Sequence, residues 1–334
     1  MHPSMRPSMA SPTVKAKRNI LAAGGLLLLL AAIGLFVGRY PLTFQGLLAG
    51  DAMQRQVFFQ LRLPRVGVGV IGGFALGVSG FAFQTVFRNP LASPDIVGVS
   101  SGASAGAAAG ILFLGSSAAV TASAFLGALT AVAAALALSA LDRSGKKSTI
   151  VLSGIAVHAL AQTALMCLKL TADPERELAS IEYWMMGSLS DISAHRLGGN
   201  LFLCLVCSGI LFALHRQMLL LSAEEGEARM LGVSVGKMRL VVLITATLAV
   251  SAVVSLTGLV SFVGLLAPHG ARLLNRNNRP GTLLLSGILG GILLCGADIL
   301  ARSVTAGELP VSIFTSLLGA PALLYLVVGR RKEA

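Results

Sequence analysis

The chain has 334 residues, of which 55% are hydrophobic and only 12% are charged, and its mean hydropathy is +0.81. A chain with this few charged residues cannot cover the surface of a water-soluble globule. The composition therefore excludes an ordinary soluble domain and indicates a membrane protein. The net charge of +12 does not indicate nucleic-acid binding, because the basic residues stand in small groups between apolar runs, without interleaved aromatic residues.

The first apolar run, 20–38, follows a polar segment that contains four Lys and Arg residues. This arrangement is similar to a signal peptide, but the run is long and is followed by Arg39 rather than by a small-residue cleavage site. We therefore predict a cytoplasmic N-terminal tail over residues 1–19 and a first spanning helix after it. Residues 20–334 are predicted to form a single polytopic membrane domain.

Further apolar segments follow along the whole chain, several of them short or interrupted by Gly and Pro. A hydrocarbon core of roughly 30 Å is crossed by about 20 apolar helical residues, so the chain has room for about ten crossings. We predict an all-α integral membrane fold with about ten transmembrane helices. The further segments are approximately 66–86, 98–114, 118–141, 149–170, 197–214, 240–257, 260–274, 282–300 and 311–328.

The positions of the basic residues predict the orientation of these helices. An even number of crossings places both termini on the same side of the membrane. If that side is the cytoplasm, 18 of the 26 Lys and Arg residues fall in cytoplasmic segments. Positive charge is enriched in cytoplasmic loops, so we predict that both termini lie inside.

Glycine recurs at four-residue spacing in two of the predicted spans. Helices associate in lipid by close approach of their backbones, which small residues permit, so these stripes predict tight helix contacts rather than flexible linkers. The two stripes are Gly69, Gly73 and Gly77, and Gly102, Gly106 and Gly110.

The sequence lacks the motifs of an enzyme. The stretch Gly145–Ser148 is not a phosphate-binding loop, because it has no upstream Gly and carries a second Lys where Ser or Thr is required. Two matches to G-x-S-x-G, at Gly98–Gly102 and Gly232–Gly236, have no strand-to-helix turn to act on. His158 and His269 are isolated, so we expect no metal site, no cofactor and no catalytic residue.

Charged residues in or beside spans are costly in lipid and are therefore functional candidates. They are Lys169, Asp298 and Glu308, with Arg302 one helical turn beyond Asp298. Asp298 and Arg302 are alternatively a simple structural pair at i and i+4. A secondary transporter driven by an ion gradient is the rival functional class, and Asp298 and Lys169 would have to couple ion movement in it.

Two polar segments suggest contacts with partners. The long loop 215–239 contains a polar stretch that is typical of a short helix ending near Gly232, and it is either a solvated connector or a contact for a cytoplasmic partner. Arg62-Leu63-Pro64-Arg65 precedes the second span, where Pro64 fits a helix start. These arginines either interact with the lipid interface or bind an acidic partner or substrate.

With these segments in place, the sequence resembles the FecCD-type permeases, the membrane subunits of importers for ferric siderophores, haem and cobalamin. The resemblance runs from about residue 60 to the C-terminus, with the matching segments in family order. The segments are Arg62–Arg65, Phe87–Val99 (FRNPLASPDIVGV), Tyr183–Leu189 (YWMMGSL), Val263–His269 (VGLLAPH), Glu308–Pro310 and Leu318–Pro321.

The resemblance implies the fold of a type II ABC importer permease, with ten helices and an inverted repeat. It also implies a second permease subunit, in a homodimer or a heterodimer, two cytoplasmic ATPase subunits and an extracytoplasmic substrate-binding protein. The implied substrate is a metal chelate, namely a ferric siderophore, haem or cobalamin, carried across the cytoplasmic membrane. ATP hydrolysis is then expected in a partner and not in this chain.

The resemblance also assigns residues by position. A coupling loop at about 216–238 would contact the ATPase through Glu224, Glu225, Ala228, Leu231, Gly232 and Val233. Arg62, Arg65 and Arg302 would dock the substrate-binding protein, and Ser79, Gln84, Ser100, Ser101 and Gly102 would line the translocation pathway. The sequence departs from the family pattern at Leu259, where Pro is usual, and at Gly270, where an apolar residue is common.

Overall fold

A computed structural model of the protein describes residues 12–38, 40–142, 147–192, 194–222, 230, 234–305 and 307–330, and no strand occurs among them. A 3-10 turn, Pro94–Val97, precedes the fourth helix. The helices are α1 (Pro12–Phe36), α2 (Phe44–Leu48), α3 (Ala52–Val86), α4 (Val99–Phe113), α5 (Ser117–Leu141), α6 (Lys147–Thr171), α7 (Glu177–Met186), α8 (Ala194–Ala213), α9 (His215–Leu221), α10 (Val235–Thr257), α11 (Val263–Asn275), α12 (Pro280–Ser303) and α13 (Val311–Arg330).

The all-α membrane prediction is confirmed, and each predicted apolar segment coincides with one of these helices. Among the described residues, α1, α3, α5, α6, α10 and α12 are long and apolar enough to cross a membrane. Helices α8 and α9 meet at a bend of 62° and together give a seventh candidate, whereas α4 and α13 are shorter apolar helices. The number of about ten crossings and the orientation remain predictions.

The predicted start of the second span at Pro64 is wrong, because α3 begins twelve residues earlier, at Ala52. Proline has no backbone N–H and normally breaks the bonding of a helix interior. Here the π-helical turn Val57–Arg62 comes directly before the α-helical segment that contains Pro64, so the bonding pattern changes where the proline enters. Helix α3 is therefore about 50 Å long and extends beyond a hydrocarbon core of about 30 Å.

Both glycine stripes form the predicted tight contacts. A Cβ atom on Gly77 of α3 would lie 2.2 Å from the carbonyl oxygen of Ser286 on α12, and one on Gly106 of α4 would lie 2.1 Å from that of Ser123 on α5. Such distances leave no room for any side chain. The backbones of α3 and α12, and those of α4 and α5, are therefore in direct contact.

The packing of α3, α4 and α5 recurs in α10, α11 and α12. Helix α4 packs on α5 as α11 packs on α12, and α3 contacts α11 and α12 as α10 contacts α4 and α5. Both α4 and α11 begin after a residue with a left-handed backbone, Gly98 (φ 85°) and Phe262 (φ 65°). This shared packing plan is the one expected of an internal structural repeat.

Helices α3 and α10 occupy the centre of the subunit. In their most apolar stretches 78% and 72% of residues are buried, compared with 11% in α1 and 28% in α5 and α6. The peripheral helices therefore face lipid or another subunit, while α3 and α10 form the interior.

Candidate docking, coupling and transport sites

Arg65 of α3 is the centre of a buried ionic cluster. Its Nε donates to Asp298 Oδ1 at 2.8 Å, and its Nη1 donates to Glu308 Oε2 at 2.9 Å. Arg302 Nη2 lies 3.4 Å from Asp298 Oδ2, which confirms the predicted pairing of Asp298 with Arg302. Arg65 is 9% exposed and Asp298 is 2% exposed. These contacts compensate charges whose burial would otherwise cost several kcal/mol each.

Arg62 connects this cluster to the end of α1. Its Nη1 donates to the carbonyl oxygens of Leu35, at 3.0 Å, and Phe36, and its Nη2 donates to that of Tyr40. The carbonyls that end a helix lack intrahelical donors and carry partial negative charge, so a guanidinium stabilises them. We call Arg62, Arg65, Asp298, Arg302 and Glu308 the arginine cluster; its three arginines face two carboxylates, which leaves a net charge of +1.

The arginine cluster borders a cavity of about 190 Å³. The three arginines predicted to dock the binding protein thus come together, but inside the subunit rather than on projecting side chains, since Arg62 and Arg302 are each 6% exposed. Glu308 reaches the surface more than they do, with 25% of its side chain exposed. Docking by these arginines remains a prediction. The cavity is lined by Gly38, Tyr40, Val57, Leu61, Arg62, Arg65, Ser190, Ile192, Arg302 and Glu308.

The predicted coupling residues lie outside the described residues, but both flanks of their loop are described. The residues concerned are Glu224, Glu225, Ala228, Leu231, Gly232 and Val233. Before the loop, α9 ends at Leu221, and after it α10 begins at Val235. Arg88 Nε donates to the Leu221 carbonyl oxygen at 3.3 Å, so the motif around residue 88 contacts the helix that leads into this loop.

Four of the five predicted pathway residues face other parts of the same subunit. Gln84 Nε2 donates to the Leu265 carbonyl oxygen at 3.1 Å, and Ser79 is fully buried on the same helix. Ser101 Oγ donates to the Gly98 carbonyl oxygen at 3.1 Å, and Gly102 packs directly on α5. Their role in a pathway remains a prediction.

Ser100, the fifth of these residues, lines a cavity of about 250 Å³. Its hydroxyl donates to the carboxylate of Asp95, which lines the same cavity. The lining also includes Ser261 and Phe262, at the left-handed turn before α11. The cavity therefore lies between the starts of α4 and α11.

Three separate segments meet beside α7. Ser188 N donates to the Thr257 carbonyl oxygen at 2.7 Å, and Val311 N donates to that of Gly187 at 2.9 Å. Ser312 Oγ donates to the carbonyl oxygen of Leu259 at 2.6 Å. The acceptor is a backbone carbonyl oxygen, which every residue has, so Leu259 in place of the usual Pro retains this hydrogen bond.

The same region borders a cavity of about 700 Å³ between α7, the α4–α5 turn and the end of α10. Tyr183 and Trp184 contribute aromatic surface, and Glu175, Arg176 and Asp191 contribute charge. A mixed aromatic and polar lining of this kind suits an amphipathic ligand better than a bare ion.

Lys169, the other charged candidate, pairs with Glu182 at 2.8 Å. Their side chains are 24% and 48% exposed, so this pair is near the surface of the subunit. Lys169 and Asp298 were the residues on which an ion-driven transporter would depend, and both have partners of opposite charge. The sequence does not predict the pairing of Arg65 with Asp298 or the contacts that bury Arg272. Both involve residues on different helices, which no local spacing relates.

Comparison with known proteins identifies relatives along nearly the whole chain. The sequence profile of the FecCD transport family matches residues 26–329. The chain is 36% identical to the hemin transport system permease protein HmuU of Yersinia pestis, over 94% of this chain and 97% of HmuU. It is 33% identical to the molybdate import system permease protein MolB of Haemophilus influenzae, over 90% of this chain and 93% of MolB.

A third relative and a solved structure agree with these matches. The cobalamin import system permease protein BtuC of Halobacterium salinarum is 38% identical, over 82% of this chain and 74% of BtuC. A solved ABC transporter described as of the metal-chelate type, in an inward-facing conformation, superposes with a TM-score of 0.85 at 33% identity. That superposition covers 94% of this chain and 99% of the solved chain.

Proposed function

The chain belongs to the FecCD transport family as a multi-pass permease of the cytoplasmic membrane, and we propose that the ABC importer it serves carries a ferric siderophore or a related metal chelate. The match over residues 26–329 together with the TM-score of 0.85 is the observation that carries this proposal. Relatives whose names specify hemin transport and cobalamin import support a bulky chelate as substrate. Residues 20–334 would form the permease domain, after a cytoplasmic tail at 1–19.

The relatives differ in what their names say they transport, so substrate needs a direct test. Purified complex in proteoliposomes is supplied with labelled haem, cobalamin, a ferric hydroxamate siderophore or molybdate, each with its cognate binding protein. We expect ATP-dependent uptake of one of the three chelates. Uptake of molybdate alone, as the name of MolB would suggest, would overturn the chelate assignment while leaving the importer assignment intact.

The proposed assembly contains a second permease subunit, two cytoplasmic ATPase subunits and an extracytoplasmic binding protein. This chain carries no phosphate-binding loop, so ATP hydrolysis would take place in the partner subunits. The peripheral helices α5 and α6, of which only 28% of the apolar stretch is buried, leave apolar surface for another subunit or for lipid.

The proposed coupling site is the loop at about 216–238, which includes Gly232. A glycine permits close approach of a partner backbone, which a bulky charged side chain would prevent. We therefore expect the wild-type chain to retain co-expressed ATPase subunits on an affinity column in detergent. The Gly232→Arg variant should lose them, whereas Gly209→Ala, at an exposed position of α8, should retain them.

Proposed docking of the binding protein uses the net positive charge of the arginine cluster and the cavity beside it. A carboxylate of the partner entering this cavity would meet guanidinium groups in a partly dehydrated site, where charge-assisted hydrogen bonds are strong. Exchange of both Arg62 and Arg65 for Glu should weaken docking and transport, and unchanged transport would contradict the proposal. Because Arg65 also bonds to Asp298, Glu308→Gln, which leaves both arginines in place, is the less disruptive test of docking.

A further inference from the structure

Arg272 joins the end of α11 to the end of α3. Its Cζ lies 4.4 Å from the centre of the Phe81 ring, a cation–π contact. Its Nη2 donates to Thr85 Oγ1 at 3.2 Å, and its Nη1 donates to Gln84 Oε1. One guanidinium therefore contacts three residues on the last turns of α3 and fixes the two helices relative to each other.

The same guanidinium also reaches the loop between α11 and α12. Arg272 Nε donates to Asn278 Oδ1 at 2.9 Å. The backbone oxygen of Asn278 lies 3.0 Å from His215 Nε2, and the His215 ring stacks on Phe81 with 6.2 Å between ring centres. Arg272 and His215 thus share both Asn278 and Phe81.

His215 is the first residue of α9, directly after the 62° bend that separates α9 from α8. Helix α9 buries His215, Met218 and Leu221, which lie three residues apart and therefore on one face. That face packs on α3 and α10. At the other end of α9, Arg88 Nε donates to the Leu221 carbonyl oxygen, so α9 is bonded at one end to the segment after α3 and at the other to the loop between α11 and α12.

We propose that α9 transmits movement of the coupling loop to α3 and α11, and that Arg272 is the positioning residue for this transmission. Ser222 is the residue that follows α9, so a displacement of the loop acts directly on α9. The shared contacts of His215 and Arg272 then move Phe81 on α3 and the end of α11 together. This inference rests on the proposed function, because it assumes an ATPase that moves the loop.

The test compares the number of ATP molecules hydrolysed per substrate molecule imported by reconstituted complexes. The probe is whichever of labelled haem, cobalamin, ferric hydroxamate or molybdate the wild-type complex imports. Arg272→Gln and His215→Leu should each keep ATPase activity but raise this ratio by about 3- to 30-fold, the range expected for residues along a coupling network. The double variant should show no larger effect than the single ones, because both act through the same contacts.

Two further variants distinguish transmission from a merely structural role. His215→Gln can still donate to the Asn278 carbonyl oxygen but loses the ring contact with Phe81, so its ratio should lie between that of the wild type and that of His215→Leu. Arg276→Gln removes the same charge from an exposed position four residues beyond Arg272 and should keep the wild-type ratio.

A wild-type ratio in assembled Arg272→Gln and His215→Leu complexes would overturn the inference, as would effects that multiply in the double variant. If Arg272→Gln fails to assemble, the contrast between His215→Leu and His215→Gln decides, and equal ratios for the two overturn the inference. Absence of ATP-driven uptake by the wild type would instead overturn the proposed function.

Discussion

Arg65 and Asp298 lie 233 positions apart in the chain and are joined by a 2.8 Å hydrogen bond between Nε and Oδ1. This bond connects α3 to α12 at the end of the bundle opposite to Arg272, and Arg302 and Glu308 complete it. The contact gives the buried charges a structural role that is independent of any docking partner.

Asp298→Asn should lower the free energy of unfolding by about 3 kcal/mol or more, because it leaves Arg65 and Arg302 buried without their shared carboxylate. Thermal unfolding of the purified variant in detergent measures this loss. Asp191→Asn removes a charge from an exposed residue and should unfold within about 0.5 kcal/mol of the wild type. Equal stability of the two variants would contradict the cluster as a structural element.

Gly77→Ala should be destabilising by about 1 to 3 kcal/mol, since its Cβ would lie 2.2 Å from the Ser286 carbonyl oxygen and would push α3 away from α12. Gly209→Ala is the matched control, because it adds the same methyl group where no heavy atom lies within 4 Å. Alanine is the better helix former there, so this variant should be as stable as the wild type or slightly more stable. A change in unfolding free energy that is equally small at both positions would show that α3 and α12 pack less tightly than the 2.2 Å distance indicates.

The sequence predicted the helical segments and the glycine contacts because both depend on local patterns, namely apolar runs and small residues at four-residue spacing. It predicts the start of α3 wrongly, because a proline such as Pro64 usually lies in the first turn of a helix. The π-helical turn Val57–Arg62 that precedes this proline has no signature in the local sequence.

Only part of the site could be predicted, because spacing along the chain relates residues on one helix but not residues on different helices. Asp298 and Arg302 are one turn apart on a single helix, so their pairing could be deduced from spacing, and it is observed. Arg65 and Glu308 join that pair from elsewhere in the chain, and Arg272 finds its partners on α3, which only the folded arrangement reveals. Sequence position therefore identified the arginines but not what each one contacts.

The orientation predicted from basic residues can be tested by labelling introduced cysteines. In a Cys167→Ser background, which removes the exposed native thiol and leaves the three buried ones, Ala49→Cys and Ser148→Cys each introduce one exposed thiol. With both termini inside, a membrane-impermeant maleimide should label position 49 but not position 148 in intact spheroplasts. Labelling of both is expected after permeabilisation, and the opposite pattern in intact spheroplasts would reverse the orientation.

Glu308→Gln should strengthen docking of the binding protein, because it raises the net charge of the arginine cluster while keeping a hydrogen-bonding side chain beside Arg65. An acidic partner would then bind several-fold more tightly at low salt, with a steeper loss of affinity as salt increases. Surface-immobilised binding protein and purified permease complex give this affinity directly. Unchanged affinity and salt dependence would place docking away from the cluster.

The energy source of transport tests the assignment of this chain as an importer permease most directly. Uptake of a labelled chelate is measured in cells that express the chain together with its ATPase and binding protein, with an uncoupler added while cellular ATP is maintained. Uptake should persist under the uncoupler and should cease when the ATPase carries an inactive phosphate-binding loop. Uptake that collapses with the uncoupler, or that continues without a functional ATPase, would contradict the account and favour a secondary transporter driven by an ion gradient.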